Sequence, residues 1–176
     1  MTTPARRLAQ PLAALALFNG LLYLCLCEGV SAADKEADAK RYAEALRKGK
    51  DAKAKVQALQ ELGKLAQVQK ALVADALPDI YKATEDKDAG VRAAAAICLG
   101  QCDEPSEKAV PLLVKLLKDD KSDDVKIGAA KGLAAMGPGA KSAIGDLNAV
   151  AKSSDKKSNL SKAAKQAIKS INASSK

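Results

Sequence analysis

This 176-residue chain contains no His and no Trp, and only one Phe and three Tyr. His is the commonest general base near neutral pH and a frequent zinc ligand, so its absence weighs against acid–base enzymes and zinc sites. Few aromatic rings also leave little material for a thick core or for stacking on single-stranded nucleic acid. The composition therefore predicts a thin core and weighs against an enzyme; with no catalytic or cofactor-binding motif in the sequence, we expect no enzymatic activity and no cofactor.

Alanine takes the place of the missing large side chains. The stretch "VRAAAAICLG", residues 91–100, contains four alanines in succession. Alanine buries little apolar area, but it has the highest helix propensity and lets two helices approach closely. We therefore expect many close helix contacts rather than one thick hydrophobic centre.

The first 32 residues predict a secretory signal peptide. Arg6 and Arg7 precede an apolar run over residues 11–27, and "GVSA" follows before charged sequence begins. This is the three-part pattern of such signals, with cleavage expected between Ala32 and Ala33. The mature protein is then periplasmic or secreted, with no stable membrane span. The alternative is an uncleaved N-terminal membrane anchor, since a tilted run of this length can cross a thin bilayer.

An internal repeat occupies the rest of the chain. The segment "VRAAAAICLGQCD" from Val91 aligns with "VKIGAAKGLAAMG" from Val125, with "AKVQALQELGKL" from Ala54 and with "LSKAAKQAIKSI" from Leu160. Between these lie "ALPDIYKAT", "AVPLLVKLL" and "AIGDLNAVA", in which apolar residues also recur at helical spacing. The sequence therefore predicts a helix–turn–helix unit used four times, with a period of about 35 residues.

Capping and breaking residues mark where these helices begin and end. Asp51, Asp88 and Ser122 each come three residues before an aligned segment, where they can serve as N-caps. The stretches "QCDEPSEK" and "MGPGAK" contain Pro and Gly and separate one repeat from the next.

The recurring pattern of Val, a basic residue, an Ala pair and Leu-Gly, preceded by a helix with Pro78 or Pro111 near its middle, resembles HEAT-like repeats of the compact bacterial type. The resemblance implies an all-α, right-handed α-solenoid over residues 33–172, followed by a short polar tail over 173–176. It also implies a binding scaffold whose second helices line the concave side. Some proteins of similar fold are DNA glycosylases or bilin lyases, so a HEAT-like enzyme is kept as a remote alternative.

Two cysteines lie four residues apart on one predicted helix. Cys102 aligns with apolar core positions, which favours two buried free thiols. A disulfide between Cys98 and Cys102 would require local distortion of the helix and is the alternative. Two thiols without further ligands cannot complete a tetrahedral metal site, so no metal is expected.

Carboxylates cluster around Lys121, in the predicted turn of the third repeat. They are Asp119, Asp120, Asp123 and Asp124. Two opposed carboxylates can catalyse glycoside hydrolysis. Because these four share one inter-helix turn, we interpret them instead as solvated, helix-capping residues.

The partner-binding prediction rests on basic residues, in a chain of formal net charge +8. A basic stripe attracts anionic partners, although terminal lysines also keep the end of a solenoid soluble. Arg92 could instead pair with an Asp inside the repeat ladder, and Tyr81 is a hot spot only if exposed. The candidates are Arg92, Lys126 and Lys131 on the second helices, and Lys162, Lys165 and Lys169 in the last repeat.

These residues predict an exported interaction scaffold. Its partner would be a protein or an anionic envelope polymer; nucleic acid is not expected, because an exported protein seldom meets it. The alternative is a structural or assembly subunit of an envelope complex, which a large exposed apolar patch would favour.

Overall fold

Eight α-helices run through the residues that the computed structural model describes, which are 32–102, 106–155 and 158–173. No strand occurs in those ranges, and the all-α prediction is confirmed. The predicted signal peptide lies outside them except for Ala32. The helices are α1 (Ala32–Lys48), α2 (Ala52–Val68), α3 (Leu77–Ala83), α4 (Ala89–Gln101), α5 (Ser106–Asp119), α6 (Asp123–Ala135), α7 (Ile144–Ser153) and α8 (Asn159–Ala173).

Successive helices form four helix–turn–helix hairpins along the chain, and the two helices of each of the last three contact each other directly. We call the first helix of each hairpin the A helix (α1, α3, α5, α7) and the second the B helix (α2, α4, α6, α8). Each B helix packs against the next: α2 against α4, α4 against α6, and α6 against α8. The predicted helical-repeat solenoid of four units is therefore confirmed.

Two A helices begin with a 3₁₀ segment. Lys70–Ala76 precedes α3, and Gly137–Ala143 precedes α7. Pro78 has no N–H to bond to the preceding turn, so the α-helix begins only at Leu77 and contains seven residues. Gly137 adopts a φ of 55°, a left-handed conformation that glycine takes without steric cost.

The core is thin and lies along the interior of the stack. It consists of one or two fully buried branched side chains per helix from α2 to α8, filled out by alanine. Burying each such side chain contributes about 1.5–3 kcal/mol. The largest are Leu59, Leu62, Ile80, Leu99, Leu113, Leu117, Leu133, Leu147 and Ile171.

Small residues bring α4 and α6 into close contact. A Cβ added to Gly128 would lie 2.7 Å from the carbonyl oxygen of Ala93. One added to Gly132 would collide with the Ala96 carbonyl, and one added to Gly100 would collide with the backbone of Gly132. The run of four alanines is thus explained by the approach of two helix backbones.

The predicted caps occupy the N-cap positions of α2, α4 and α6. The Asp88 carboxylate accepts a hydrogen bond from the Val91 N–H at 3.1 Å, and that of Asp51 accepts from the Lys53 N–H at 3.3 Å. Ser122 stands at the N-cap of α6 without a side-chain capping bond. Here the Ser122 N–H instead donates to Asp120 Oδ1 at 2.9 Å.

Candidate interaction face

Basic residues on the B helices bind carboxylates in the next repeat. Lys55 on α2 contacts Asp86, in the loop after α3, with 2.7 Å between Nζ and Oδ2. Arg92 on α4 makes the equivalent contact with Asp120, in the loop after α5, using two nitrogens at 2.8 and 3.0 Å. These pairs form a ladder that joins successive hairpins.

The Arg92–Asp120 pair is the more enclosed of the two. The side chains are 18% and 8% exposed, and the Arg92 guanidinium also donates to the carbonyls of Asp86 and Lys87. The hydrogen bond from Arg92 holds the pKa of the Asp120 carboxyl below its ordinary value, despite the opposing effect of burial. For Asp86 the largest lowering effect on the pKa is the backbone N–H of Asp88, followed by Lys55.

A second set of pairs joins the A helices. Arg47 near the end of α1 donates to Asp79 near the start of α3, with 2.7 Å between Nη2 and Oδ2. Lys118 at the end of α5 makes the corresponding contact with Asp146 in the first turn of α7 at 3.0 Å. In both cases, opposite charges at neighbouring helix ends join two successive A helices.

The ladder determines what two of the predicted partner-binding residues can do. Arg92 is committed to Asp120, as the within-ladder alternative anticipated, so little of its hydrogen-bonding capacity faces solvent. Lys126 occupies the equivalent position on α6 and is partly buried. It forms no ion pair with any residue in the described ranges, and its charge contributes to lowering the pKa of Asp120.

A groove of about 360 Å³ lies between α2 and α4. Val56, Ala93 and Ile97 are partly buried along it, while Gln60 and Gln101 supply uncharged polar groups. Lys64, at one end, is paired with Glu61 on its own helix at 2.7 Å. The groove is therefore apolar with an uncharged rim over most of its length.

A second groove, of about 550 Å³, lies between α6 and α8. Partly buried Ile127 and Ala163 line it, and exposed Lys131 and Lys162 stand beside them. Its single carboxylate is Asp124, in the first turn of α6. The structure thus brings together two lysines that the sequence predicted from separate repeats.

Lys165 and Lys169 lie outside the lining of the α6–α8 groove, three and seven residues after Lys162 on α8. Both are exposed, and α8 contains no acidic residue. Alignment of the repeats places Lys165 and Lys169 at the positions that Ala96 and Gly100 occupy on α4. Ala96 and Gly100 contact α6. The two lysines therefore occupy the face by which the earlier B helices contact the next repeat.

The two thiols at the C-terminal end of α4, those of Cys98 and of the C-cap residue Cys102, are free and buried, as predicted. Cys98 and Cys102 are 1% and 4% exposed, and their sulfurs are 4.0 Å apart, which is longer than a disulfide bond. The contact with Cys102, together with burial, raises the pKa of the Cys98 thiol. A protonated thiol in the core acts as a small hydrophobe.

Other candidate residues have structural surroundings. Tyr81 is partly buried against the core, as expected for a residue packed in the stack rather than one offered to a partner. Asp119, Asp123 and Asp124 are exposed, as the solvated interpretation predicted. Asp120 is different, because it is the anchor for Arg92.

Sequence reasoning did not identify the acidic half of the ladder. Asp86 and Asp120 each lie two residues before an N-cap, and each accepts a hydrogen bond from the N–H of that N-cap residue. The shared spacing of these two aspartates was the available signal.

No grouping of side chains typical of a metal site and no membrane-spanning helix occurs in residues 32–102, 106–155 and 158–173. Within those ranges no three or more Cys, Asp or Glu residues are grouped so that they could hold a metal ion. No helix there is both long enough and apolar enough to span a bilayer.

Comparison with known proteins identifies the repeat. The search of curated proteins returned no match to this chain. A family model described as HEAT repeats matches residues 40–134, which run from α1 to the end of α6. Because the match covers more than half of the 176 residues, this chain belongs to the HEAT-repeat family.

Proposed function

We propose that this chain is an exported, non-enzymatic scaffold that binds a partner protein through its B helices. HEAT repeats commonly serve as protein-interaction scaffolds, and the family is generally non-enzymatic. We name the binding surface the B face and define it by two residues from each B helix: Val56 and Gln60, Ala93 and Ile97, Ile127 and Lys131, Lys162 and Gln166.

One observation carries the proposal: both grooves between B helices have partly buried apolar side chains next to exposed polar ones. Val56 and Ile97 border the first groove, and Ile127 borders the second. Partial burial leaves apolar area that a partner can still remove from water, at about 25 cal/mol per Å². Polar groups at the edges can then fix the partner's orientation.

A matched pair of isoleucines tests this function. The full chain with a C-terminal tag, or its Ile97→Glu or Ile144→Glu variant, is used to capture proteins from an envelope extract of the source cells. Both isoleucines are partly buried, but Ile97 is in the α2–α4 groove and Ile144 begins an A helix. We expect a captured protein to be lost with Ile97→Glu and kept with Ile144→Glu. Equal capture by all three chains would contradict the proposal.

Export is a separate part of the proposal and has its own test. Cleavage before Ala33 would remove a single residue from α1, which begins at Ala32, so the repeat unit would remain intact. We expect N-terminal sequencing of the protein from its native source to begin at Ala33, and fractionation to find it outside the cytoplasm. Recovery with Met1 in a membrane fraction would support the N-terminal anchor instead.

An anionic envelope polymer is the second candidate partner. Lys162, Lys165 and Lys169 are exposed on α8, a helix without acidic residues. Binding of this kind weakens as salt rises, because exposed charges are screened beyond about 8 Å at physiological ionic strength. Capture that survives washing in high salt would favour the protein partner, and capture that is lost both in high salt and with Lys165→Gln/Lys169→Gln would favour the polymer.

A large exposed apolar patch would favour the assembly-subunit alternative. In the part of the chain that the structure describes, Val68, at the end of α2, is the one large hydrophobic side chain that is mostly exposed, at 64%. A single side chain is ordinary for a soluble surface. The grooves therefore favour the scaffold.

A further inference from the structure

We propose that the partner segment bound on the B face is acidic at one end and apolar at the other. Its apolar side chains would occupy the α2–α4 groove, and its carboxylates would lie against Lys131 and Lys162 in the α6–α8 groove. This inference rests on the proposed function and adds the chemistry of the partner. The observation behind it is that structurally equivalent positions on the four B helices change from uncharged residues to lysine along the stack.

The repeat register shows this change. The positions equivalent to Val56 are Ala93, Ile127 and Lys162, in chain order. The positions equivalent to Gln60, one turn further along each helix, are Ile97, Lys131 and Gln166. Both rows begin without charge, and the only charges in them are the two lysines, which meet in one groove.

The lysines are available to a partner. Both are exposed, and neither forms an ion pair with a residue in the described ranges. Asp124 also lines their groove, but it belongs to the first turn of α6, where a carboxylate interacts favourably with the helix dipole. In the other groove the one charged side chain, Lys64, is already paired with Glu61.

The spacing between the grooves sets the length of the segment. Packed helices lie about 8–10 Å apart, so the centres of the two grooves, two helix spacings apart, are separated by about 16–20 Å. An extended chain advances about 3.3 Å per residue, so about five or six residues separate the apolar anchor from the carboxylates. Between them, Ala93 and Ile127 offer a further partly buried apolar surface.

The first experiment selects peptides on the full-length protein. The probe is a displayed library of random peptides about ten residues long, which is enough to span both grooves at 3.3 Å per residue. We expect the selected peptides to carry a Leu, Ile or Phe and, about five or six positions away, one or more Asp or Glu. Selection of basic or uncharged peptides, or failure to enrich any sequence, would overturn the proposal.

The second experiment locates the binding with matched variants. Anisotropy of a fluorescent copy of the most enriched peptide is measured with Lys131→Gln/Lys162→Gln and with Lys165→Gln/Lys169→Gln. Each double variant removes two positive charges from exposed helix positions. We expect the first to weaken binding about fivefold to thirtyfold, as loss of two exposed ion pairs would, and the second to leave it within about twofold.

The apolar half of the segment is tested at Ile97. Glutamine stands at the equivalent position of α2 and α8, so Ile97→Gln introduces a side chain that the repeat already accommodates. We expect about tenfold weaker binding from the lost apolar burial. Circular dichroism of each variant confirms that its helices are intact.

The results separate this inference from the proposed function. If Lys165→Gln/Lys169→Gln abolishes peptide binding while Lys131→Gln/Lys162→Gln does not, the acidic ligand binds the end of α8 and the inference is wrong. The scaffold function still stands in that case if Ile97→Glu removes a captured protein. If peptides bind as proposed and no protein is captured, the proposed function has failed.

Discussion

At the scale of single residues, the bidentate contact between Arg92 and Asp120 joins the second repeat to the third. The Asp120 carboxylate is mostly buried and also accepts the Ser122 N–H. Removing its charge leaves the Arg92 guanidinium partly buried without an anionic partner. We expect Asp120→Asn to lower the free energy of unfolding at pH 7 by about 1.5–3 kcal/mol, measured by urea denaturation.

The exposed neighbour Asp119 is the control for that prediction. Asp119→Asn alters the same turn without touching Arg92, so its effect should stay within about 0.5 kcal/mol. The pKa of Asp120 is below its ordinary value of 3.8, so the stabilisation is present above this pH and is lost as the pH falls through the lowered folded-state value. The free energies of unfolding of the wild-type chain and of Asp120→Asn, measured against pH, should therefore converge in acid. A difference that stays constant with pH would contradict the ion-pair explanation.

The thiols allow a second prediction at this scale. The thiolate is the reactive form of cysteine. Cys98 is buried, and the pKa of its thiol is raised above the ordinary value. We expect iodoacetamide at pH 8 to alkylate Cys98 and Cys102 about a hundredfold or more slowly in the folded chain than in urea, since reaction requires local opening. Site-resolved mass spectrometry measures both rates. Similar rates in the two conditions would show that α4 is open at its C-terminal end.

The sequence predicted single residues unevenly. N-cap positions, the buried state of Cys102 and the two lysines of the second groove follow from local spacing or from alignment of the repeats. Asp86 and Asp120 share a position two residues before an N-cap, but the sequence does not show which basic residue each one pairs with, because the separation along the chain differs between the two pairs. Lys55 and Asp86 are 31 residues apart, and Arg92 and Asp120 are 28 apart, so the pairing is not a fixed offset.

At the scale of elements, the contact between α4 and α6 depends on glycine. Replacing glycine by alanine inside a helix usually stabilises it by about 0.5–1 kcal/mol. At Gly132 the added methyl group would collide with the carbonyl of Ala96 on α4. We expect Gly132→Ala to lower the free energy of unfolding by about 1–3 kcal/mol, because the two backbones must separate.

Gly145 provides the matched control for this prediction. It lies in α7, and nothing stands within 4 Å of a Cβ added there. Gly145→Ala should therefore raise stability by about 0.5–1 kcal/mol, which is the opposite sign from Gly132→Ala. Thermal unfolding followed by circular dichroism distinguishes them. Stabilisation by both substitutions would mean that α4 and α6 pack less closely than described.

Element boundaries were harder to predict than element order. Hydrophobic spacing and caps correctly gave four pairs of helices, whereas the segment from residue 76 forms an α-helix of seven residues preceded by a 3₁₀ segment. The apolar spacing is similar in both helix types over one turn. The missing N–H of Pro78 decides where the α-helix begins, and this effect does not appear in the pattern of apolar residues.

At the scale of the whole molecule, each B helix contacts its neighbours along the stack, so stability is distributed over successive interfaces. The two grooves arise from that arrangement. Lys131 and Lys162 could be named as candidates from charge alone, but Val56 and Ile97 resembled ordinary core positions. Their role at a groove edge depends on how far apart α2 and α4 pack, and side-chain sizes across two repeats set that distance.

The end of the stack leads to a prediction about self-association. Lys165 and Lys169 stand where α4 has Ala96 and Gly100, the residues that contact the next B helix. Two charged side chains at these positions oppose the docking of another helix, because docking would remove their charges from water. We expect Lys165→Ala/Lys169→Ala to self-associate more strongly than the wild-type chain, measured as a sedimentation coefficient that rises with protein concentration.

Lys115→Ala/Lys152→Ala is the control for this change in charge. It also removes two exposed lysines, but from the A helices α5 and α7, so it lowers the net charge equally without altering the end of α8. Association of both double variants would attribute the effect to net charge alone. Association of the α8 variant only would show that these lysines end the stack, whereas sedimentation like the wild type for both would contradict that role.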